Sequence, residues 1–299
     1  MKFSFWAGPG NTWSDLLAMG QHAEKTGWDG LWFADHFMPN TTEAAGPTAE
    51  CWTTLAAWAA TVPRVRLGAL VTGNTYRHPA VLANMVANVD NISGGRAVLG
   101  LGAGWQENEH EKYGIPFYTL KERMDRLEEA CQVVNELLSG ERTTFAGKHY
   151  QLDDAPNEPK PVQSPLPLLI GGGGEKRTMR IAAKYAHEWN VWGTPETLAQ
   201  KGEVLERHCA DLGRDPSEIR RSAQALLFLT DDEKQAEQMR QGGRAAIAGN
   251  VEQVKEAVAA YRASKVDELI IPDFTLGREL GPKLETMDRF INEVAPDFR

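Results

Sequence analysis

The sequence has few cysteines, and the three that it has lie far apart. Cys51, Cys131 and Cys209 form no CxxC pair, which excludes a zinc ribbon or a disulfide scaffold and is typical of a reducing compartment. Long apolar runs are also missing, because no stretch reaches the roughly 18 apolar residues that span a bilayer. No signal-peptide pattern follows Met1. We therefore expect a cytoplasmic protein with no membrane partner.

Positive charge is scarce as well. The 299 residues carry 32 Lys and Arg against 41 Asp and Glu, which gives a formal net charge of −9. A chain this acidic lacks a general attraction to phosphate backbones, so we do not expect a nucleic acid partner. The 42% hydrophobic and 24% charged residues are typical of a folded globular protein and exclude disorder as the main state.

The chain is organised as eight strand-like segments, each followed by a helical one. The expected strands are residues 2–7, 31–34, 66–71, 97–101, 168–170, 189–192, 223–229 and 268–271. Strict alternation indicates an α/β fold with a parallel sheet, and eight repeats favour a closed (β/α)8 TIM barrel over an open doubly wound sheet. We expect one domain over residues 1–299, with an insertion at about residues 140–165 after the fourth helix.

In such a barrel the active site lies at the carboxyl ends of the strands. Several of these ends contain glycine, which suggests a backbone that closely approaches a flat or phosphorylated ligand. The clearest case is the turn of residues 171–174, followed by Lys176 and Arg177. Its N–H groups and the helix after it predict a phosphate site, and a flexible turn with solvated basic side chains is the alternative. The turn does not match GxxxxGK[ST], so a nucleoside triphosphate is not expected.

Titratable residues at these ends allow two kinds of chemistry. His36 follows the second strand and can exchange protons near neutral pH, or it can simply pack on a ligand ring. The acidic run at residues 107–111 contains side chains of metal-ligand type. On a helix these side chains face different ways, so we expect an exposed acidic helix start and no metal. No lysine at a strand end suits a Schiff base.

Several motifs occur together in a characteristic order. They are WFADHF at 32–37, LGALVTGNTYRHPA at 67–80, SGGR at 93–96, LGLGAGW at 99–105 with EH at 109–110, YGIPF at 113–117, residues 123–128 and the turn at 171–174. With these motifs the chain resembles the luciferase-like flavin and deazaflavin oxidoreductases, almost from end to end. It is more similar to the branch that uses the deazaflavin coenzyme F420 than to the branch that uses flavin mononucleotide (FMN).

The resemblance implies a barrel that is usually homodimeric, with the cofactor ring over a bulge at the end of the third strand, often at a cis peptide. It implies cofactor contacts from Asp35, His36, Leu70, Val71, Thr72, Gly102, Ala103, Gly104, Asn108, Gly171, Gly172, Gly173, Gly174, Lys176, Arg177, Val191 and Trp192. His36 is the expected catalytic residue. The expected substrate pocket consists of Trp6, Asn40 and Trp105.

One departure from the family pattern affects the reaction. Sugar-phosphate and alcohol dehydrogenases of the family pair the histidine with a tryptophan and a glutamate, where this chain has Asn40 and Trp105. We therefore expect hydride transfer between F420 and a small apolar substrate with an electron-poor double bond, rather than alcohol oxidation. Two alternatives stay open: an FMN-dependent monooxygenase supplied by a partner flavin reductase, and a cofactor-binding barrel without catalysis.

Overall fold

The computed structural model describes every residue from Met1 to Arg299. The strands are β1 (Lys2–Ala7), β2 (Gly30–Phe33), β3 (Arg66–Ala69), β4 (Thr72–Gly73), β5 (Ala97–Gly102), β6 (Arg142–Ala146), β7 (Gln151–Pro156), β8 (Leu168–Gly171), β9 (Glu188–Trp192), β10 (Arg220–Gln224), β11 (Leu226–Leu229), β12 (Ala246–Gly249) and β13 (Glu268–Pro272).

The helices lie between these strands and after the last of them. They are α1 (Trp13–Thr26), α2 (Cys51–Thr61), α3 (Pro79–Ser93), α4 (Glu107–Tyr113), α5 (Leu120–Ser139), α6 (Thr178–Tyr185), α7 (Pro195–Leu212), α8 (Glu233–Arg240), α9 (Val251–Ala263) and α10 (Leu280–Arg289). After α10 the chain continues as a π-helical turn, Phe290–Val294. None of the helices combines the length and the apolar content that a membrane-spanning segment requires.

Nine strands form one sheet, in the order β3-β2-β1-β13-β10-β9-β8-β5-β4. β3 also pairs in parallel with β5, and this pairing closes the sheet. Only Leu70 and Val71 separate β3 from β4, so these two short strands together form one of the eight strands of the barrel. The expected (β/α)8 barrel is therefore confirmed. β2, β5 and β13 are buried along their whole length, as parallel strands covered on both faces must be.

Four segments differ from the expectation. Residues 223–229 form two strands, because the chain leaves the barrel at Ala225 and β11 pairs with β12. β12 was not expected, since its four residues are two alanines, an isoleucine and a glycine, which have little strand propensity together. The third strand ends at Ala69 instead of Val71, and α6 begins at Thr178 instead of Lys176.

The chain divides into two compact units. The terminal unit comprises Met1–Gly8, Trp13–Trp32 and Gly172–Arg299, and the central unit comprises Pro9–Thr12 and Phe33–Gly171. The expectation of a single domain stays a prediction.

The terminal unit has an aromatic core. The ring of Trp28 contacts Phe5 and Phe290 at centroid distances of 5.8 and 5.6 Å, and Phe3 meets Phe290 edge-on at 5.3 Å. Each such pair contributes about 0.5–1.5 kcal/mol beyond area burial. These contacts fix β1 against the turn between α1 and β2 and against the π-helical turn.

The central unit contains the expected insertion, which is an antiparallel hairpin of β6 and β7. The carboxylate of Glu129 on α5 holds its turn, because it accepts hydrogen bonds from the N–H groups of Lys148 and His149 at 3.0 and 2.8 Å. The buried Tyr150 hydroxyl then accepts a hydrogen bond from Asn74 Nδ2 at 3.2 Å. The hairpin is thereby attached to the loop that follows the carboxyl end of β4.

Candidate active site

Glycines of neighbouring strands enclose the bulge between β3 and β4. The peptide bond Leu70–Val71 is cis, at the place that the resemblance implied. A Cβ atom on Gly100 would lie 1.9 Å from the backbone oxygen of the last residue of β3. Cβ atoms on Gly102 and Gly171 would lie 2.9 and 2.8 Å from methyl groups of Val71. These glycines therefore make room for the protein's own bulge. Glycine at the strand ends was expected to let a ligand approach the backbone.

His36 follows β2, and a buried carboxylate holds its ring. His36 Nδ1 lies 2.9 Å from Glu109 Oε1, and the Glu109 side chain is fully buried whereas that of His36 is 20% exposed. Glu109 Oε1 also accepts a hydrogen bond from the Tyr76 hydroxyl, and Oε2 accepts one from the N–H of Phe37 at 2.8 Å. Three donors thus converge on one carboxylate, and Nε2 of His36 has no protein partner.

These contacts set the charge state of the cluster. Burial alone would raise the pKa of Glu109, but hydrogen bonds from His36, Phe37 and Tyr76 outweigh burial and hold this pKa below its usual range. Burial, with the hydrogen bond to Glu109, raises the pKa of Tyr76 far above its ordinary value. At neutral pH the carboxyl of Glu109 is therefore ionised, and the hydroxyl of Tyr76 keeps its proton.

The expectation of an exposed acidic start at residues 107–111 is wrong for two of its members. Helix α4 turns Glu109 and His110 inward, and both are buried. His110 Nδ1 lies 2.6 Å from the carbonyl oxygen of Gln106, and Nε2 lies 2.7 Å from Thr75 Oγ1. The spacing of residues 106, 109 and 110 places them on one helix face, and this was the signal that the sequence analysis did not use.

His36 has a glutamate partner, although not at the position that the family pattern uses. The tryptophan and the glutamate of that pattern correspond to Asn40 and Trp105 in this chain. A glutamate one helical turn later contacts the ring instead. The expectation that alcohols are not oxidised stays a prediction.

Asp35 has an arginine partner that the sequence analysis missed. Arg77 Nη1 and Nη2 lie 2.6 and 3.2 Å from the two carboxylate oxygens of Asp35, and Nη2 lies 2.7 Å from Glu50 Oε1. Asp35 is fully buried, and burial raises the pKa of its carboxyl in spite of Arg77. Glu50 also accepts a hydrogen bond from the N–H of Thr53 at 2.7 Å, which caps α2. The cluster ties the loop after β2, the start of α2 and the loop after β4 together.

Asn108 supplies an unused acceptor. Its Nδ2 donates to the carbonyl oxygens of Pro39 and Thr41 at 3.0 and 3.3 Å, whereas its Oδ1 is buried without a hydrogen-bond partner. A buried unpaired acceptor costs roughly 1–3 kcal/mol, so an N–H or O–H group of a ligand would be favourable there. This orphaned atom fits the cofactor contact that the resemblance implies for Asn108.

An exposed aromatic ring lies beside His36. Trp105 is 61% exposed, and its ring meets that of His36 edge-on at a centroid distance of 5.4 Å. Arg123 donates a hydrogen bond to the carbonyl oxygen of Gly104 at 2.5 Å and so holds the segment that carries Trp105. Asn40, the other expected substrate residue of this unit, is exposed in the loop after β2.

The remaining predicted cofactor residues of the central unit lie in or next to the bulge. Leu70 is buried, Val71 and Ala103 are half-buried, and Thr72 is buried and accepts a hydrogen bond from Trp52 Nε1 at 3.0 Å. Their contact with a cofactor stays a prediction.

The predicted phosphate turn of the terminal unit precedes α6. Gly172 has a φ of +122°, and its carbonyl oxygen accepts a hydrogen bond from Trp189 Nε1 at 2.9 Å. The N–H groups of Gly173 and Gly174 have no protein acceptor. Lys176 is exposed and Arg177 is half-buried at the start of the helix. Free N–H groups beside basic side chains fit an anionic group.

The other predicted residues of the terminal unit are aromatic or apolar. Val191 is nearly buried and Trp192 is half-buried at the end of β9. Trp6 meets Trp192 and Phe274 edge-on at centroid distances of 6.0 and 5.1 Å. Its Nε1 is buried without a hydrogen-bond partner, so it can donate to a ligand.

Two curated relatives of this chain are F420-dependent dehydrogenases. The F420-dependent glucose-6-phosphate dehydrogenase of Amycolatopsis mediterranei is 36% identical over 174 residues, which are 58% of this chain and 50% of that protein. The F420-dependent hydroxymycolic acid dehydrogenase of Mycobacterium tuberculosis is 28% identical over 291 residues, which are 95% of this chain and 78% of that protein. The chain thus spans about half the length of the first curated relatives that it matches.

A solved structure shares the fold over its whole length. An F420-dependent secondary alcohol dehydrogenase, in complex with an F420-acetone adduct, superposes with a TM-score of 0.87 at 21% identity and covers 100% of this chain and 99% of its own. The sequence profile of the luciferase-like monooxygenases matches residues 1–267. The chain, with its barrel, its cis bulge and its histidine after β2, belongs to the luciferase-like monooxygenase family.

Proposed function

We propose that the protein is an oxidoreductase that transfers a hydride between coenzyme F420 and a small, rather apolar substrate. One observation carries the proposal: His36 is held by the buried carboxylate of Glu109 and keeps Nε2 without a protein partner. A hydride transfer that reduces a carbon–heteroatom or carbon–carbon double bond needs one proton to balance it, and the reverse reaction releases one. An imidazole can give or take that proton near neutral pH.

The relatives support F420 as the cofactor, because they are named F420-dependent dehydrogenases. When bound, a deazaflavin supplies hydride transfer, and the protein supplies binding, orientation and electrostatics. Asn108 Oδ1 would accept a hydrogen bond from the ring or its ribityl chain. Gly173, Gly174 and Lys176 would bind its phosphate.

The exposed ring of Trp105 supports an apolar substrate. An aromatic side chain buries 150–250 Å² when it is covered, so a flat apolar molecule against Trp105 would gain binding energy next to His36. Because Glu109 accompanies His36, we include alcohols as well as electron-poor double bonds among the candidate substrates. We also propose that the protein is a cytoplasmic homodimer, as its sequence and the family resemblance imply.

The cofactor is tested by titrating the purified protein with F420 and with FMN under the same salt conditions, following fluorescence. We expect F420 to bind at micromolar concentration and at least tenfold more tightly than FMN. Tighter binding of FMN would instead favour a monooxygenase that needs a partner reductase and oxygen. Binding of F420 without turnover on any substrate of a broad panel would favour a non-catalytic barrel.

The substrate class is tested with Trp105→Ala and Trp105→Phe. We expect KM for apolar substrates to rise tenfold or more in Trp105→Ala, which corresponds to about 1.4 kcal/mol, and to change little in Trp105→Phe. Trp13→Ala is the control, because Trp13 is also a half-exposed tryptophan but lies at the start of α1. An unchanged KM in Trp105→Ala would contradict the apolar substrate without affecting the cofactor assignment.

A further inference from the structure

We infer that Glu109 and Tyr76 are positioning residues: they keep a proton on Nδ1 of His36, so that Nε2 is the atom that exchanges a proton with the substrate. The inference concerns the same site and rests on the proposed function. It goes beyond that function because it assigns roles to two residues for which the family resemblance implied none.

Nδ1 of His36 is the ring nitrogen that faces the carboxylate. An ionised carboxylate can only accept hydrogen bonds, and the distance of 2.9 Å between His36 Nδ1 and Glu109 Oε1 is that of a hydrogen bond. Nδ1 must therefore carry hydrogen. In the neutral ring Nε2 is then the acceptor, and in the cationic ring Nε2 is a donor. Proton exchange at His36 takes place at Nε2 in both directions.

The carboxylate of Glu109 is itself held in place by hydrogen bonds. Oε2 of Glu109 is bound to the N–H of Phe37, the residue next to His36, so a single side chain clamps both the ring and the backbone of this loop. Oε1 is shared between His36 and the Tyr76 hydroxyl. A carboxylate with three donors has little freedom to rotate, and the orientation of the ring follows from it.

The ring of Tyr76 is fixed by packing. Its ring meets Phe37 edge-on and stacks on His110, both at a centroid distance of 5.0 Å. A Cβ atom on Gly73 would lie 2.6 Å from the Tyr76 ring, so only glycine at that position admits the ring. The hydroxyl of Tyr76 is thus aimed at Glu109 by packing and does not depend on a ligand.

The other charged groups near His36 do not compete for the ring. Asp35 precedes His36 in the chain, but both of its oxygens are bound to Arg77. Arg77 is also paired with Glu50. Glu109 is therefore the carboxylate that faces the imidazole.

The proton balance of the reaction follows from this arrangement. In the oxidative direction the substrate loses a hydride, with its two electrons, to F420 and loses a proton to Nε2. In the reductive direction Nε2 returns the proton while the substrate gains the hydride. Glu109 stays ionised, and Nδ1 keeps its hydrogen throughout.

The test is the tautomer of His36 in the protein without cofactor, measured by NMR on protein labelled with 15N-histidine. The chain has seven histidines, and the spectrum of His36→Asn identifies the signals of His36. We expect the neutral ring to carry its proton on Nδ1 in the wild type. Glu109→Gln should keep this tautomer, because its amide oxygen still accepts, whereas Glu109→Leu should shift most of the population to Nε2–H.

Kinetics with F420 provide the second readout. We expect Glu109→Leu to lower kcat about 100-fold or more, with the Kd of F420 within threefold of the wild type. Glu109→Gln should keep much of the kcat that Glu109→Leu loses. Tyr76→Phe should lower kcat several-fold and keep the Nδ1–H tautomer. A merely structural role would change the thermal stability and the Kd together with kcat, and the isosteric Gln variant would then show no selective rescue.

Two results would overturn the inference: an Nε2–H tautomer in the wild type, or a Glu109→Leu variant that keeps both the Nδ1–H tautomer and the wild-type kcat. The NMR measurement needs neither cofactor nor substrate. An Nδ1–H ring in a protein that binds no F420 would therefore support the positioning and contradict the proposed function. An F420-dependent enzyme with an Nε2–H ring would support the proposed function and contradict the positioning.

Discussion

Replacing His36 with alanine should lower kcat by about 10²- to 10⁴-fold, the range that general acid–base catalysis contributes. The variant loses the proton-exchanging Nε2 but keeps the cis bulge, the acceptor on Asn108 and the turn of residues 172–174. We therefore expect the Kd of F420 to change by less than a factor of three. Fluorescence titration and steady-state kinetics of the same preparation give the two values separately.

The result for His36 can be interpreted only beside a matched histidine. His22→Ala removes a ring that pairs with Asp288 on the surface, with His22 Nε2 2.8 Å from Asp288 Oδ1, and should leave both kcat and Kd unchanged. A His36→Ala variant that loses F420 binding and keeps its kcat at saturation would assign His36 to the cofactor site. An unchanged kcat and Kd would contradict both roles.

The barrel could be predicted from the sequence because each element is locally marked. β1 occupies the predicted residues 2–7, since a short segment with two phenylalanines and a tryptophan is closed there by the Gly-Pro-Gly of residues 8–10. The Leu70–Val71 bulge and its cis bond followed from the family resemblance. β12 was missed because its pairing with β11 depends on tertiary contact, and its own residues carry little signal.

The partners of His36 and Asp35 could not be predicted from spacing alone. Glu109, Tyr76 and Arg77 come from two segments that are more than 25 residues apart in the chain, and their convergence depends on how the loops after β4 and β5 fold. The role of the glycines could not be predicted from the sequence either. Their presence at the strand ends was visible, but only the positions of Val71 and Ala69 show that Gly100 accommodates protein backbone.

Replacing Arg77 with methionine should lower the free energy of unfolding by about 3–5 kcal/mol, which is the cost of breaking a buried ion pair by removing one partner. The variant leaves Asp35 fully buried and without its bidentate partner, close to Glu50. Chemical denaturation followed by fluorescence measures this loss. Arg142→Met is the control, because Arg142 pairs with Asp154 on the exposed hairpin at 2.7 Å, and a surface pair contributes less than about 1 kcal/mol.

A double variant separates the buried charge from the packing of Arg77. Asp35→Asn combined with Arg77→Met removes both charges of the pair, so we expect it to recover a large part of the lost stability. The same proteins also test the cofactor contact that the family resemblance implies for Asp35. If Arg77→Met is as stable as the wild type and binds F420 more tightly, the carboxylate serves the cofactor, and Arg77 competes with it. If stability falls and is recovered in the double variant, the carboxylate belongs to the fold, and its role is to hold the loop that presents His36.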